Sequence, residues 1–507
     1  MALWKLAGST ALVLVIGGSG AQAEITPEQV WENWQALMAS SGQTVTTTSA
    51  TRDGDTLVVE GLTFTANDGE GTAMTGTIDE VNFADLGDGT VEITMSDSYP
   101  ITLSLPAGSA EGDTPTTLTI AVSQPGLSMI ASGDDAESSY DFEAPTLNLK
   151  IEAVEGVAAS AVDLVADVTM TGLEGAYTLT KNGDANDLDS SFAAASTSVV
   201  VSAKDPETNG DVRLTASVAD MAGTSTGTLL PTVDMADMVA ALNAGFAMDS
   251  AFTFGKTAYD FGLTEDGKPT QITGSVDSGE FQVGMDKTRI TYGTGVKNVV
   301  LSMSGADIPF PKLDVTYGEG AFKVMMPVAK SDTPQDFTFL TRIVDMDLPD
   351  EIWGMFDPTG AFPRDPATVI IDTKGTGNWA FDIMDPVQQE AQGDKTPGQI
   401  NSLEVTQLEA RAGGAEVKGT GSFTFDNTDL VTWDGVPTPT GKMDLTIKGA
   451  NGVLDKLVAM GMVPEDQAMG ARMMIAMFAK PGAGPDELTS SLEFKDKGFF
   501  ANGQKLR

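Results

Sequence analysis

The chain has 507 residues, a formal net charge of −43, and neither histidine nor cysteine. Such a charge repels DNA, RNA and anionic headgroups at long range. The two missing residue types exclude a Ser-His-Asp triad, a cysteine nucleophile, a histidine-ligated zinc and any disulfide. With 41% hydrophobic residues the chain can bury a core, so packing and ladder hydrogen bonds must hold the fold. The acidity itself reads as a solubility device, dense carboxylates holding water and counterions.

The N-terminus has the layout of a secretory signal peptide. Lys5 supplies a positive start, Leu6 to Ile16 is apolar apart from Ser9 and Thr10, and Ala21-Gln22-Ala23 offers small residues where a signal peptidase reads. Cleavage is expected after Ala23, with Ala21 and Ala23 as the recognition residues. The apolar run is short of the roughly 20 residues a membrane-spanning helix needs. The mature chain is therefore expected without a transmembrane anchor, in the periplasm or secreted. Glu24 follows the cut, and without cysteine no lipid can be attached there.

A first helix opens at Thr26, with Pro27 at its first position and Gln29 completing a capping box; Val30, Trp31, Trp34, Leu37 and Met38 share its apolar face. Such a helix is expected to plug a sheet end. Period-two alternation then dominates, at Val91-Ile93-Met95, Leu118-Ile120-Val122, Leu147-Leu149-Ile151, Val162 to Met170 and Val212 to Val218. Asp68-Gly69, Asp88-Gly89, Asn182-Gly183, Asn209-Gly210, Asp266-Gly267 and Asn502-Gly503 are hairpin dipeptides. A second helix is expected from about Asp234 to Phe246. Alternation resumes at Phe281-Val283-Met285, Leu301-Met303, Leu403-Val405, Phe423-Phe425 and Leu445-Ile447. Residues 451–480 read as a helical hairpin, Gly461 ending one arm and Pro464 opening the next, before a closing hairpin of strands from Leu488 and from Gly498.

The expected fold is mainly β: an elongated, largely antiparallel twisted sheet or sheets forming a sandwich or groove, with a few capping helices and the C-terminal helical hairpin. The expected divisions are a signal peptide at 1–23, an N-terminal β-rich half at 24–248 and a C-terminal β-rich half at 249–507. Alternation leaves one face of each sheet apolar, to fold over a core or to line a groove.

Met346-Asp347-Leu348-Pro349-Asp350-Glu351-Ile352-Trp353, Asp357-Pro358 and Pro363-Arg364-Asp365-Pro366 resemble the proteobacterial family called domain of unknown function 2125, as do Ile308-Pro309-Phe310-Pro311 and Met325-Met326-Pro327. The resemblance extends over nearly all of the mature chain and implies a periplasmic or envelope protein with no assigned chemistry. The closing pattern, a helical pair and then a strand reaching Phe500-Ala501-Asn502-Gly503, is also loosely similar to AsmA-like envelope proteins, whose β-grooves are associated with lipid movement.

Chemical motifs do not survive inspection. Gly375-Thr376-Gly377-Asn378-Trp379-Ala380 follows an apolar strand, but Phe381 to Pro386 does not read as the helix a dinucleotide needs. Asp205, Glu207, Asn209 and Gly210 open like a calcium loop, yet its twelfth position is Ala216, so a turn is expected. The Asp184, Asn186, Asp187, Asp189 cluster likewise reads as a solvated turn. Met460, Met462, Met469, Met473, Met474 and Met477 crowd the helical hairpin; thioethers can hold Cu(I), but at this spacing they read as packing or a pliable apolar surface. No cofactor and no metal is expected.

The function expected is non-enzymatic: binding an apolar ligand, lipid foremost, along a β face. Leu164, Val283, Met469, Met473 and Met477 are its candidate residues. The alternatives are an assembly factor that docks an envelope complex through its acidic surface, and a carboxylate-based hydrolase, which would need two facing acids, one with a raised pKa.

Overall fold

The computed structural model describes residues 25–40, 42–67, 71–106, 115–156, 163–204, 210–230, 238–393 and 397–507. The signal segment with Ala21 and Ala23, the Asp68-Gly69 pair and the Asp205 to Asn209 loop lie outside these. The protein is mainly β and antiparallel. It divides into two compact units: the described residues up to Ser278 with Met303–Pro311, and Gly279–Ser302 with Lys312–Arg507.

The first unit opens with helix α1 (Pro27–Ser40). Its capping box is formed as expected: the Gln29 amide donates to Thr26 Oγ1 at 3.3 Å, and the Thr26 amide to Gln29 Oε1 at 2.9 Å. The strands that follow are β1 (Thr44–Thr46), β2 (Ser49–Asp53), β3 (Thr56–Asn67), β4 (Ala73–Asp85), β5 (Val91–Met95), β6 (Ser98–Leu105), β7 (Thr116–Ser123), β8 (Ser128–Gly133), β9 (Glu137–Glu155), β10 (Asp163–Asn182), β11 (Ala185–Lys204) and β12 (Asp211–Leu229). After helix α2 (Met238–Ala244) come β13 (Ala247–Phe254), β14 (Thr257–Glu265) and β15 (Lys268–Val276). The expected second helix is thus present, though shorter, with residues 234–237 outside the described chain.

The long strands β3, β4 and β9 to β12 serve two sets of neighbours. Toward one end the order is β2-β3-β4-β5-β8-β9-β10-β11-β12-β13; toward the other it is β1-β3-β4-β6-β7-β9-β10-β11-β12-β14-β15. Between the ends runs a crease. Pro145, Gly172, Ala195 and Asp220 fall in one cross-strand row, flanked on both sides by regular pairs. Gly172 and Asp220 have φ of 58° and 50°, and Gly61 in β3 has 59°. At each such residue the alternation slips by one. In β10 the even positions Leu164, Val168 and Met170 share a face before Gly172, and the odd positions Leu173 and Tyr177 share it afterwards. Glycine suits this row, because a Cβ at Gly172 would sit 3.1 Å from that of Ala195 in a left-handed conformation.

Beyond the crease, toward α1, the core is closed. Val30 and Trp31 of α1 pack with Val59, Val81, Phe83, Val91, Ile93, Tyr140 and Tyr177, while Trp34, Leu37 and Met38 lie against this cluster. Trp31 and Trp34 flank the Phe83 ring at 5.9 and 5.4 Å between centroids. The helix plugs this sheet end as its sequence suggests, resting on β3 and β4 and reaching past Gly61 to β1 of the other set of neighbours.

The second unit is an antiparallel meander. It contains most of β16 (Ser278–Met285) and of β17 (Arg289–Gly305), then β18 (Leu313–Pro327), β19 (Gln335–Met346), helix α3 (Asp350–Phe356), β20 (Ala367–Trp379), helix α4 (Pro386–Gln392), β21 (Gly398–Ala412), β22 (Ala415–Asp426) and β23 (Thr438–Lys448). Helices α5 (Ala450–Ala459) and α6 (Glu465–Phe478), then β24 (Lys480–Pro481), β25 (Glu487–Lys495), β26 (Gly498–Ala501) and β27 (Gln504–Lys505), complete it. From β18 to β23 each strand pairs with the next, and β23 pairs with β25 around the helical hairpin. Gly461, at φ 71°, ends the first arm and Pro464 caps the second, where the sequence places them. Helices α3 and α4 were not expected. Their signals are local: Pro349 precedes an acidic first turn, and the Asp385 carboxylate accepts from the Val387 and Gln388 amides.

Candidate functional site

Register decides which side chains share a face. In the open end of the first unit, Tyr99, Val122, Leu149, Val168, Val199, Ala216, Tyr259 and Gly274 form one cross-strand row. Beside it run Ala166-Val201-Leu214-Phe261-Ile272 and Leu164-Ala203-Val212-Leu263-Thr270, and across β6, β7 and β9 Ile101-Ile120-Ile151. None of these residues is charged. One residue along each strand, on the opposite face, the rows read Lys150-Asp167-Val200-Thr215-Asp260 and Lys204-Asp211-Thr264.

The uncharged face is not sealed. Apart from Val122, its aliphatic residues are half-buried or exposed, whereas Val59, Val81, Phe83, Val91 and Ile93 at the closed end have no exposure at all. The substantial packing of strands in this unit is between sheet neighbours, and α1 rests on β1, β3 and β4. Among the described residues this side of the sheet is apolar and half-open to solvent.

The second unit repeats the arrangement. Its rows are Gly320-Ile343-Val369-Ala410-Val417-Ile447-Leu488, Phe322-Thr341-Ile371-Leu408-Gly419-Leu445-Ser490, and Val324-Phe339-Thr373-Val405-Gly421-Met443-Leu492. Again no member is charged, while the opposite face carries Lys374-Glu404 and Arg342-Ile370-Glu409-Lys418. Ion pairs line that outer face: Lys418 to Glu416 at 2.8 Å, Lys442 to Asp444 at 2.9 Å, Arg342 to Glu319 at 3.0 Å. On the apolar face Phe281, Tyr292, Phe322 and Phe339 make a ladder of rings, centroids 5.4, 6.0 and 5.8 Å apart. Ile343 and Val369 remain 41% and 46% exposed.

Leu164 sits on the uncharged face of the first unit, half-buried opposite Ala203; Val283 is half-buried in β16 of the second. Met469, Met473 and Met477 are not on a sheet. They follow one another at helical spacing along α6, each more than half exposed, while Ala468 turns inward. Helix α6 packs on α5 and β25, and its last residue, Phe478, meets Phe499, whose ring lies 4.9 Å from that of Phe494. What residue-by-residue reading missed is the aromatic ladder. Its members lie on four different strands, and only the register brings them together.

The motif residues of the second unit have structural work. The Asp357 side chain has no exposure; it accepts from the Ala361 and Phe362 amides at 2.9 Å each and faces Arg364 at 3.2 Å. Burial works against its charge, but those amides, the Thr359 hydroxyl and Arg364 outweigh it and hold the carboxyl below its ordinary value. Arg364 lies over the Trp353 ring at 4.7 Å. Trp379 donates its indole N–H to the Pro327 carbonyl at 2.6 Å. The glycines of the fingerprint-like stretch lie inside β20, and a Cβ at Gly375 would meet the Ser402 carbonyl oxygen at 2.2 Å. They serve close strand packing. Wherever an aspartate or glutamate shifts among the described residues, as at Asp286, Asp385, Glu416, Asp429 and Asp486, it shifts down, stabilised by hydrogen bonds or a nearby cation.

Residues 294–502 match the family described as an uncharacterized protein conserved in bacteria, DUF2125. This part of the chain is similar to that family. The match takes in every motif on which the resemblance rested, but it is confined to the C-terminal part and does not extend over the whole mature chain. No curated protein matches, and no solved structure matches.

Proposed function

We propose that the protein is a non-enzymatic factor of the bacterial envelope that holds lipid against the uncharged faces of its sheets. One observation carries the reading: rows of aliphatic and aromatic side chains without a single charge, half-open to solvent, in a chain whose net charge is −43. Exposed apolar surface of this extent needs an occupant. Covering it yields about 25 cal/mol per Å² of apolar area removed from water. The charged outer faces keep the loaded protein in solution, and the signal-like N-terminus supports a place outside the cytoplasm. The loose similarity to AsmA-like envelope proteins points the same way.

The test is native mass spectrometry of protein purified from its own envelope, followed by organic extraction. The reading expects stoichiometric lipid. A bare chain mass, with no uptake when lipid is added back, would overturn it and leave docking through the acidic surface as the better account.

A further inference from the structure

The reading above names lipid; the chemistry of the faces says which part of the lipid is read. A phosphate or zwitterionic headgroup bound on a protein needs a cation or converging hydrogen-bond donors. The rows described carry no cation, and the one that follows on the same face, Lys268 at the hairpin end of β14 and β15, stands in register opposite the Glu265 carboxylate. Every lysine and arginine on the rows described stands on the opposite side of its sheet, in several cases paired there with a carboxylate, as Lys374 is with Glu404 at 3.3 Å and Arg213 with Asp211 at 2.6 Å. The backbone N–H and C=O groups between the rows are spent in the ladders. What remains polar within the rows themselves is a scatter of hydroxyls, such as Thr341, Thr373 and Tyr259.

Other occupants fit less well. A protein partner normally supplies about one hydrogen bond per 100–200 Å² of interface, for which these rows have few counterparts. A second copy brings another net charge of −43 against the first. Hydrocarbon chains ask for neither charge nor hydrogen bonds.

Resting on the proposed function, we propose that the ligand is recognised through its acyl chains alone, the headgroup staying off the sheet, so that lipids of equal chains and different headgroups are held alike. Affinity is then set by chain length, rising by up to about fourfold for each methylene laid on the face.

The experiment is displacement of a pyrene-labelled phosphatidylcholine from delipidated full-length mature protein, at high salt to screen the net charge. The competitors are dioleoyl phosphatidylcholine, phosphatidylethanolamine, phosphatidylglycerol and the headgroup-free dioleoylglycerol, then phosphatidylcholines of stepwise shorter chains. Headgroup variants agreeing within about threefold, with a steep fall as chains shorten, support the inference. Tenfold or greater preference for one headgroup would overturn it and leave the lipid-binding reading standing. Failure to bind the probe at all, or a stable lipid-free dimer that hides the faces, would overturn both.

Discussion

The two ends of the first unit are made from the same strands, yet they behave as different materials. On the α1 side of the crease β9 and β10 contribute Tyr140, Phe142 and Tyr177 to a closed core; on the other side the same strands present Leu149, Leu164 and Val168 half-exposed. The residue types are alike and the alternation is equally regular. The difference is the cover: α1 packs into the cluster at one end, while at the other the described residues leave the strand face half-exposed. An apolar strand face thus specifies that something must bury it, and among the described residues α1 is that partner at the Phe83 end.

This comparison can be broken by substitution. The largest effect is expected at the closed end, where Phe83→Ala should cost about 3–5 kcal/mol in urea unfolding. Val201→Ala, half-buried at the open end, should cost about 1 kcal/mol or less; equal losses would show that both ends are closed. The second unit has its own dry spot, the Asp357 carboxylate. Its folded pKa lies below the ordinary 3.8, so its contribution is complete above that value and is lost as pH falls through the depressed folded value. Asp357→Asn should therefore destabilise the protein at neutral pH and leave a shallower acid-unfolding curve by circular dichroism. An unchanged midpoint at neutral pH would deny the residue its structural role. The smallest deliberate effect at the closed end is expected from Thr26→Ala, which removes one half of the capping box and should cost about 1 kcal/mol by loosening α1.

Much of this was legible in the residues. The capping box, the turns at Asp266-Gly267 and Asn502-Gly503, and the helix break at Gly461 are local devices, and each is where its chemistry puts it. The apolar parity of single strands was equally plain. What the chain did not disclose was the row at Pro145, Gly172, Ala195 and Asp220, because a slip of one residue gains meaning only when neighbouring strands slip together. The uncharged face hid for the same reason: Phe322 and Phe339 each look like ordinary alternation, and it is pairing across strands that gathers them. Helices α3 and α4 are seven residues each, too short for periodicity to stand out.

The central claim is that lipid is held on one side of the sheet and not the other, and neighbouring positions in β12 test it directly. Leu214 lies on the uncharged face and Thr215 on the charged one. Each is changed to aspartate, folding is verified by circular dichroism and melting, and bound lipid is measured after reconstitution. The account predicts that Leu214→Asp loses most of its lipid while Thr215→Asp keeps it. Equal retention, or loss from the Thr215 variant alone, would contradict it.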